Sequence, residues 1–515
     1  MKVSFKYLNH SEKSLMSTPI TKIIIVGGGT AGWMAAASLI RFADKKDLSI
    51  TLIESSKIHT VGVGEATVPN IISFNQNLGI NEIEFIKATQ ATFKLGIQFE
   101  NWCDLESSFF HPFADYGVKI DNVEFHHYLN RLQSSGEKVQ LSDYCFSSVL
   151  ANKGNFAQPH PKPTSPLADF SYAYHFDADL YASYLKEFSI KLGVNHIDSK
   201  INNVSLNPES GFIQSVSLNN EKELTADLFI DCSGFKGLLI EDTLETGFED
   251  WSHWLPCDSA LAIQTKSTEP PMPYTRSIAR DNGWQWKIPL QNRTGNGYIF
   301  SSHFESPENA QKTLLENIKG QKITQVKEFK FNTGRRKKIW NKNCFSLGLA
   351  SGFLEPLEST SISLIQTAIG KLLSFFPDKS FNPVDIAEVN RLHNQELENI
   401  RDFLILHYKL TRRDDTKFWQ HCQNLKIPES LEHKLDLFNS RGHITMYDNE
   451  SFEKSSWLTI YNAFKQTPLR YDERADEVDI NLIKNNLKKM RQSINKAATD
   501  AVSHQQFIDL HCKAK

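Results

Sequence analysis

Runs of β-branched and aliphatic residues mark the first strands of the chain. Residues 20–26 read ITKIIIV and residues 48–53 read LSITLI, with a helical pattern, WMAAASLIRFA, between them. Continuous apolar runs of this length are typical of parallel strands that are buried on both faces. The strand–helix–strand order therefore predicts an α/β fold with a parallel sheet.

Later segments extend this prediction. Residues 224–234 (LTADLFIDCSG) and 344–352 (CFSLGLASG) each read as a short strand followed by a turn of small residues. Residues 414–423 and 431–438 predict helices, and residues 480–498 predict a final amphipathic helix. The C-terminal part is therefore expected to be mostly helical.

Composition and charge exclude several classes of protein. The chain has 515 residues, of which 40% are hydrophobic and 23% are charged, with a net charge of −3. These values are ordinary for a globular protein, and no basic tract suggests a nucleic-acid partner. No apolar run reaches about 18 residues, so no membrane span is expected. The seven cysteines form no C-x-x-C pair, which favours reduced thiols, a cytoplasmic location and no metal site.

A glycine motif follows the first predicted strand. In Gly27-x-Gly29-x-x-Gly32, the first glycine permits a tight turn, the second lets the backbone approach a pyrophosphate, and the third lets helix and strand pack closely. Glu54 ends the second strand, 22 residues after Gly32, where a ribose-binding acid belongs. The pattern predicts a dinucleotide site, the alternative being a tight turn without a ligand. The spread of the later strands favours FAD over NAD, and the absence of a second such motif argues against a separate NAD(P)H site.

Several segments resemble flavin-dependent tryptophan halogenases, in the order that this family has them. They are residues 27–34 (GGGTAGWM), 62–67 (GVGEAT), 91–94 (ATFK), 174–178 (YHFDA), 283–289 (GWQWKIP) and 354–360 (LEPLEST). The resemblance implies an FAD-binding body of the glutathione-reductase and hydroxylase type, with a mostly α-helical C-terminal substrate part. It covers about residues 20–420.

The resemblance also implies a reaction and its reactants. FAD is used as FADH2, which a separate NAD(P)H-flavin reductase supplies, and with O2 it forms a flavin hydroperoxide. Bromide or chloride then becomes hypohalous acid, which travels through a tunnel to a small aromatic substrate. A homodimer is common among such enzymes, by analogy only.

Two polar groups are assigned catalytic roles by this resemblance. Lys94 would hold the halogen, either as an ammonium that hydrogen-bonds hypohalous acid or as an amine that forms a haloamine. Glu358 would stabilise the cationic ring and take its proton, which are tasks suited to a carboxylate. The alternatives are a surface lysine and an acid that only complements a helix N-terminus. Glu355 is the neighbouring acid and is expected to be structural.

Further residues are carried over by motif position. The expected flavin contacts are Gly27, Gly29, Thr30, Ala31, Gly32, Glu54, Ala66, Ile201, Leu349 and Ile362. Trp284 and Trp286 of the W-x-W-x-I-P segment would keep the organic substrate away from the flavin. Thr360 and Ser361 would bind the halide at a helix start. The well-known tryptophan halogenases carry glycine where Ser361 stands, so a preference for bromide over chloride is a reasonable hypothesis.

The substrate pocket departs from the family pattern. His111 and Phe113 match an aromatic pair that sandwiches the indole ring, and Trp457 aligns with a substrate-stacking tryptophan. That alignment puts Phe452 where a glutamate should hold the amino group of tryptophan.

Sliding the alignment by one residue restores Tyr447, Glu453 and Asn462 as anchors but loses the stacking tryptophan. Because a buried zwitterion without partners is costly, we predict that free tryptophan is a poor substrate. Indole, a simple indole derivative or a phenol is expected instead.

The sequence therefore predicts a flavin-dependent halogenase. The alternatives are a flavin-dependent aromatic monooxygenase and a non-catalytic flavin-binding protein. We expect residues 1–17 to be a disordered extension, in which Met16 offers a second start. Residues 18–390 are expected to form the FAD-binding and halide domain with an inserted sheet, and residues 391–515 a mainly helical substrate-covering part.

Overall fold

The computed structural model describes residues 18–43, 47–57 and 64–515. The expected N-terminal extension, Met16 and Gly62 lie outside the described residues. Within them the chain folds as predicted, with mixed α/β structure up to about residue 380 and helices after it.

The strands gather in the first three quarters of the chain. They are β1 (Lys22–Val26), β2 (Ser49–Glu54), β3 (Gly64–Ala66), β4 (Thr92–Lys94), β5 (Gly96–Glu100), β6 (Ser108–Pro112), β7 (Ala173–Asp177), β8 (Asn195–Asp198), β9 (Ile201–Leu206), β10 (Ile213–Leu218), β11 (Glu223–Thr225), β12 (Leu228–Asp231), β13 (Phe248–Asp250), β14 (Ser259–Thr265), β15 (Thr275–Arg280), β16 (Gly283–Pro289), β17 (Thr294–Phe300), β18 (Lys327–Lys330), β19 (Gly334–Arg336), β20 (Trp340–Asn341), β21 (Cys344–Ser346) and β22 (Gly352–Phe353). The predicted strands are β1, β2, β12 and β21.

The helices surround these strands and make up the C-terminal part. They are α1 (Thr30–Phe42), α2 (Asn70–Leu78), α3 (Glu82–Ala88), α4 (Phe125–Ser134), α5 (Phe146–Asn152), α6 (Ala178–Lys191), α7 (Pro307–Glu316), α8 (Ser361–Ser374), α9 (Pro383–Lys409), α10 (Lys417–Gln423), α11 (Glu429–Arg441), α12 (Lys454–Ala463), α13 (Ile480–Asp500) and α14 (His504–His511). The helices predicted from periodicity are α10, α11 and α13.

The glycine motif belongs to a six-stranded sheet with the order β20-β21-β12-β1-β2-β8. All neighbouring pairs are parallel except β20 with β21. Ile25 of β1 pairs with Ile230 on one side and with Leu52 on the other, and all three are buried. The continuous apolar runs therefore form a sheet that is covered on both faces, as such runs predict.

A seven-stranded sheet has the order β18-β14-β17-β16-β15-β5-β6. Together with the six-stranded sheet it lines a large cavity. Strand residues two apart point to one face, so Trp284, Trp286 and Ile288 of β16 line the cavity together. Gly297 of β17 lies opposite Trp286, and a Cβ atom there would come within 1.9 Å of the indole ring. The absence of a side chain at Gly297 therefore makes room for Trp286.

Helix α9 connects the sheets to the C-terminal helices. It is 27 residues long, and the expected domain division at residue 390 falls inside it. The side chains of its second half are almost all buried, because α10, α11 and α12 pack around it. In the described ranges no helix has the length and apolarity that a membrane crossing requires.

Candidate active site

The two large sheets enclose a cavity of about 560 Å³. Nine of the ten predicted flavin contacts line it, namely Gly27, Gly29, Thr30, Ala31, Glu54, Ala66, Ile201, Leu349 and Ile362. Gly32 lies beneath the cavity, where an added Cβ atom would approach the Gly27 carbonyl oxygen to 1.9 Å. The tenth residue therefore has the packing role that its place in the motif predicts.

The glycine turn gives the cavity an end suited to phosphate. Gly27 has a φ of 110°, and a Cβ atom there would lie 2.2 Å from the Cys232 carbonyl oxygen. Helix α1 follows with Gly29 as its N-cap, and no side chain caps its first N–H groups. Uncapped N–H groups at a helix start are a ready anion site. The turn therefore fits the pyrophosphate of a dinucleotide.

Glu54 stands beside this turn at the end of β2. Its Oε1 accepts a hydrogen bond from Lys186 Nζ at 2.8 Å and lies 2.8 Å from His196 Nε2. Its other oxygen lies next to Gly28, where an added Cβ atom would come within 1.6 Å. The carboxylate is thus held against the cavity, in the position expected of a ribose-binding acid.

At the other end of the cavity, Trp284 is fixed by a buried acid. Trp284 Nε1 and the Tyr408 hydroxyl both donate to Glu355 Oε2, each at 2.7 Å. Burial raises the pKa of Glu355 to about 7, against the effect of these two hydrogen bonds. Glu355 does not line the cavity, which agrees with the structural role expected for it.

Lys94 is fully buried at the end of β4. Its Nζ donates to the Thr67 carbonyl oxygen and to Ser359 Oγ, both at 2.8 Å, and lies 5.2 Å from the ring centre of Phe113. Burial lowers the pKa of Lys94 to about 7, although the nearby Glu358 carboxylate raises it. Burial therefore favours the amine form of Lys94 more than exposure to water would.

Ser359 connects Lys94 to the cavity. Its side chain accepts the hydrogen bond from Lys94, and the same residue lines the cavity. Its φ of 61° reverses the chain between the turn Pro356–Glu358 and helix α8. Ser359 therefore contacts both the cavity and Lys94.

Glu358 is held between two histidines. Its Oε2 lies 2.9 Å from His111 Nδ1, and its Oε1 lies 2.9 Å from His407 Nε2. Burial by itself would raise the pKa of Glu358, but the charge and hydrogen bond of His111, together with those of His407, lower it to about 2. The two contacts therefore fix the orientation of this acid and favour its ionised form.

The predicted halide residues lie where α8 begins. Thr360 is the N-cap and Ser361 is the first helical residue. Ser361 lines the cavity, whereas Thr360 is buried behind it, and Thr360 Oγ1 has no hydrogen-bond partner among the described residues. A buried hydroxyl without a partner at a helix start is a donor available to an anion.

Aromatic rings from three elements gather next to Glu358. Phe403 of α9 stacks on Phe452 at 3.9 Å between ring centres, and it lies 5.9 Å from His111 and 5.0 Å from Trp457. His111 and Trp457 share no ring contact within the described residues. The structure thus brings His111 against Glu358 and Phe113 close to Lys94, while Trp457 contacts this cluster through Phe403.

The alternative anchors for an amino acid are placed differently. Glu453 and Asn462 are exposed. The interior near Trp457 instead holds Lys434, which pairs with Glu450 and lies 4.0 Å from the Trp457 ring centre. The one-residue slide therefore puts two of its three anchors on the surface.

Four residues of this site were not singled out from the sequence: Ser359, Phe403, His407 and Lys434. His407 interrupts the apolar run FLILHY at 403–408, and a polar residue in a buried helical stretch is a signal that it has a partner. Lys434 carries no such signal, because its helix reads as amphipathic with lysine on the outside.

Comparisons with known proteins agree over almost the whole chain. The family model for tryptophan halogenase matches residues 22–480. Tryptophan 7-halogenase RebH of Lentzea aerocolonigenes is 36% identical over 444 residues, which is 82% of this chain and 83% of that protein.

Solved structures agree in fold. BrvH, a flavin-dependent halogenase from Brevundimonas sp. BAL3, is 43% identical with a TM-score of 0.93, covering 95% of this chain and 99% of that one. Xcc4156, a flavin-dependent halogenase from Xanthomonas campestris, is 41% identical with a TM-score of 0.93, covering 96% and 99%. The FAD-binding fold with a helical C-terminal region, as predicted, is confirmed.

Proposed function

From the premise that this chain belongs to the tryptophan halogenase family and is a flavin-dependent halogenase, we propose that it halogenates indole or a simple indole derivative, with Lys94 carrying the halogen and Glu358 taking the ring proton. The observation that carries this proposal is the position of Ser359, which lines the cavity and accepts a hydrogen bond from the buried Lys94 ammonium. Glu358 is the next residue in the chain and is fixed beside it.

The cavity suits FAD in its shape and its polar groups. The turn at Gly27 and the start of α1 would hold the pyrophosphate, Glu54 would accept from the ribose, and Trp284 and Trp286 would cover the flavin end. When bound as FADH2, the flavin activates O2 and oxidises halide to hypohalous acid. The two tryptophans fill the face of β16 and keep a bulky aromatic substrate out of the cavity.

The halide would bind at the start of α8. Thr360 Oγ1 is a buried hydroxyl without a partner, and the helix terminus adds N–H groups and a positive partial charge. The side chain of Ser361 stands at the cavity wall and adds a second hydroxyl. We propose that this site takes bromide in preference to chloride, because Ser361 changes the size and polarity of the site.

Lys94 receives the oxidant on the far side of Ser359. With a pKa near 7, it can donate a hydrogen bond to hypohalous acid as the ammonium or bind the halogen as the amine. The buried surroundings exclude water, so the electrophile is delivered to the ring rather than to solvent. A ring carbon then attacks the halogen: a C–X bond forms while the O–X bond of hypohalous acid, or the N–X bond of the haloamine, breaks, and its electron pair leaves with the hydroxide or with the Lys94 nitrogen.

Glu358 completes the substitution. The cationic ring must lose the proton on the halogenated carbon, and the electrons of that C–H bond restore the aromatic system. The carboxylate stabilises the cation and accepts the proton. Its two histidine contacts keep it ionised and fixed in orientation.

The aromatic cluster supports a substrate without a charged amino acid group. Phe452 stacks on Phe403 and lies beside His111, so apolar and aromatic rings line this part of the interior. The buried cation beside Trp457, Lys434, would repel an ammonium and already pairs with one oxygen of Glu450. His111 and Phe113 then contact the flat ring by stacking.

The test is a competition assay with the purified protein. FAD, a flavin reductase, NADH, oxygen and bromide are supplied with equal indole and tryptophan, and mass spectrometry detects bromine by its paired isotopes. Lys94→Ala controls for hypobromite that leaks into solution. Lys87→Ala, on the exposed side of α3, controls for the loss of a lysine as such.

Brominated indole that disappears in Lys94→Ala and persists in Lys87→Ala is the expected result. Brominated tryptophan as the main product would contradict the substrate proposal and favour Glu453 and Asn462 as anchors. Hydroxylated product without bromine would replace the halogenase by the aromatic monooxygenase. We also propose that a separate reductase supplies FADH2 and that the protein forms a homodimer. The seven free cysteines suggest a cytoplasmic location.

A further inference from the structure

His407 has a hydrogen-bond environment that a neutral imidazole cannot satisfy. Its Nδ1 lies 2.8 Å from the Phe403 carbonyl oxygen, and its Nε2 lies 2.9 Å from Glu358 Oε1. The side chain has 0% exposure, so no bulk water takes part. A carbonyl oxygen and a carboxylate oxygen are both acceptors, whereas a neutral imidazole has one N–H.

Each neutral form therefore leaves one unfavourable contact. If Nδ1 carries the proton, the lone pair of Nε2 faces a carboxylate oxygen. If Nε2 carries it, the lone pair of Nδ1 faces the carbonyl oxygen of Phe403. Both contacts become hydrogen bonds only when the pair holds one more proton, either as imidazolium with carboxylate or as imidazole with carboxylic acid.

The ring contacts of His407 within the described residues are all with aromatic, uncharged side chains. The rings around it belong to Phe99, Trp102, Phe403 and Phe464. Of these, Phe99 and Trp102 come from β5 and the loop after it, and Phe464 follows α12. The titratable groups that face the pair are His111, through Glu358 Oε2, and Lys94, whose charge acts on Glu358.

We propose that His407 is a positioning residue that shares one proton with Glu358. In the ion-pair form, His407 donates to Oε1 and His111 donates to Oε2, so the carboxylate cannot rotate and its remaining lone pairs are free for the ring proton. The shared proton keeps the buried pair at zero net charge. This inference rests on the proposed role of Glu358, but the protonation of the pair is independent of it.

The first test measures the proton directly. The protein is labelled with 15N-histidine, and the His407 signals are identified by comparison with His407→Phe. Both ring nitrogens protonated at about pH 8 would support the ion-pair form. Infrared absorption of a carboxylic acid that is lost in Glu358→Gln would place the shared proton on Glu358, which would support the sharing but contradict the role of Glu358 as acceptor of the ring proton. A neutral His407 without such an absorption would overturn the proposal. This result stands even if no ring is halogenated, so it separates failure of the inference from failure of the proposed function.

The second test uses the pH dependence of bromination. In His407→Phe the Glu358 carboxylate stays buried but loses a hydrogen-bond donor and a counter-charge. Its pKa should therefore rise, and activity that needs the ionised carboxylate should appear only at higher pH. We expect the rate at about pH 7 to fall by about 10- to 100-fold, with partial recovery at alkaline pH.

The amide of His407→Gln can still donate a hydrogen bond but carries no positive charge. The acid limb of its pH profile should therefore shift in the same direction as in His407→Phe, by a smaller amount. His421→Phe, an exposed histidine of α10, serves as the control with the wild-type profile. A loss of rate that is equal at every pH in His407→Phe would mean a merely structural role and would overturn the proposal.

Discussion

A buried ammonium should lower the stability of the fold. Lys94 is fully buried and donates two hydrogen bonds, to the Thr67 carbonyl oxygen and to Ser359. Lys94→Met keeps the length and the apolar stem of the side chain while removing the amine. We predict that this variant is inactive as a halogenase and more stable than the wild type.

The magnitude follows from the pKa of Lys94, which burial lowers from 10.5 to about 7. At about 1.4 kcal/mol per pKa unit, burying the ammonium costs about 5 kcal/mol. The loss of two hydrogen bonds offsets about 2 kcal/mol of the gain. The free energy of unfolding at neutral pH should therefore rise by about 2 to 3 kcal/mol in Lys94→Met.

The sign of the pH dependence is a sharper test. The pKa of Lys94 is lower in the folded protein than in the unfolded one. The cost of burying its ammonium is therefore fully present below about pH 7 and is relieved between about pH 7 and 10.5. The advantage of Lys94→Met over the wild type should thus shrink by about 3 kcal/mol between about pH 6 and pH 9.

Urea unfolding of both proteins at the two pH values measures this difference. The exposed-lysine variant Lys87→Met should stay within about 0.5 kcal/mol of the wild type at both. A Lys94→Met protein that is no more stable than the wild type at acidic pH would refute the reasoning, and so would an advantage that does not change with pH.

Three other predictions follow from the cavity and its surroundings. Gly27→Ala should weaken FAD binding by at least about 10-fold in a fluorescence titration, because the new Cβ atom meets the Cys232 carbonyl oxygen at a positive φ; Gly370→Ala, which meets no atom within 4 Å, should bind normally. Ser361→Gly should raise the initial rate of chlorination relative to bromination in equal halide concentrations, and an unchanged ratio would show that this side chain does not select the halide. Glu355→Gln should become more stable relative to the wild type as pH rises, by up to about 3 kcal/mol in urea unfolding between about pH 5 and 8. The reason is that burial raises the pKa of Glu355 from 4.5 to about 7, so the wild type loses stability over that window. A constant difference would mean that this acid is ionised throughout.

The parts of the molecule that could be predicted from the sequence are those whose signal is local. Gly27, Gly29 and Gly32 lie within six residues, and the turn, the helix start and the packing of α1 follow from that spacing alone. Trp284 and Trp286 are two apart on a strand, so their common face was predictable as soon as the strand was recognised.

The parts that could not be predicted depend on contacts between distant segments. Glu358 and His407 are 49 residues apart, and only the direction of α9 brings them together. Phe452 stacks on Phe403 because the loop before α12 folds back onto α9, which no local pattern indicates. Lys434 has the sequence of a surface lysine, yet its side chain is buried against Trp457, because tertiary packing overrides the amphipathic pattern of its helix.

The position of Ser359 between the cavity and Lys94 has a consequence for the fraction of the reductant that ends in halogenated product. If the oxidant passes Ser359 to reach Lys94, as proposed, it is kept from solvent, whereas oxidant that leaves by the cavity mouth would be lost together with the NADH spent on it. We therefore expect the ratio of halogenated ring to NADH consumed to depend on this residue more than on the aromatic cluster. Ring selectivity and coupling efficiency would then be separate traits of the molecule, which selection or engineering can adjust one at a time.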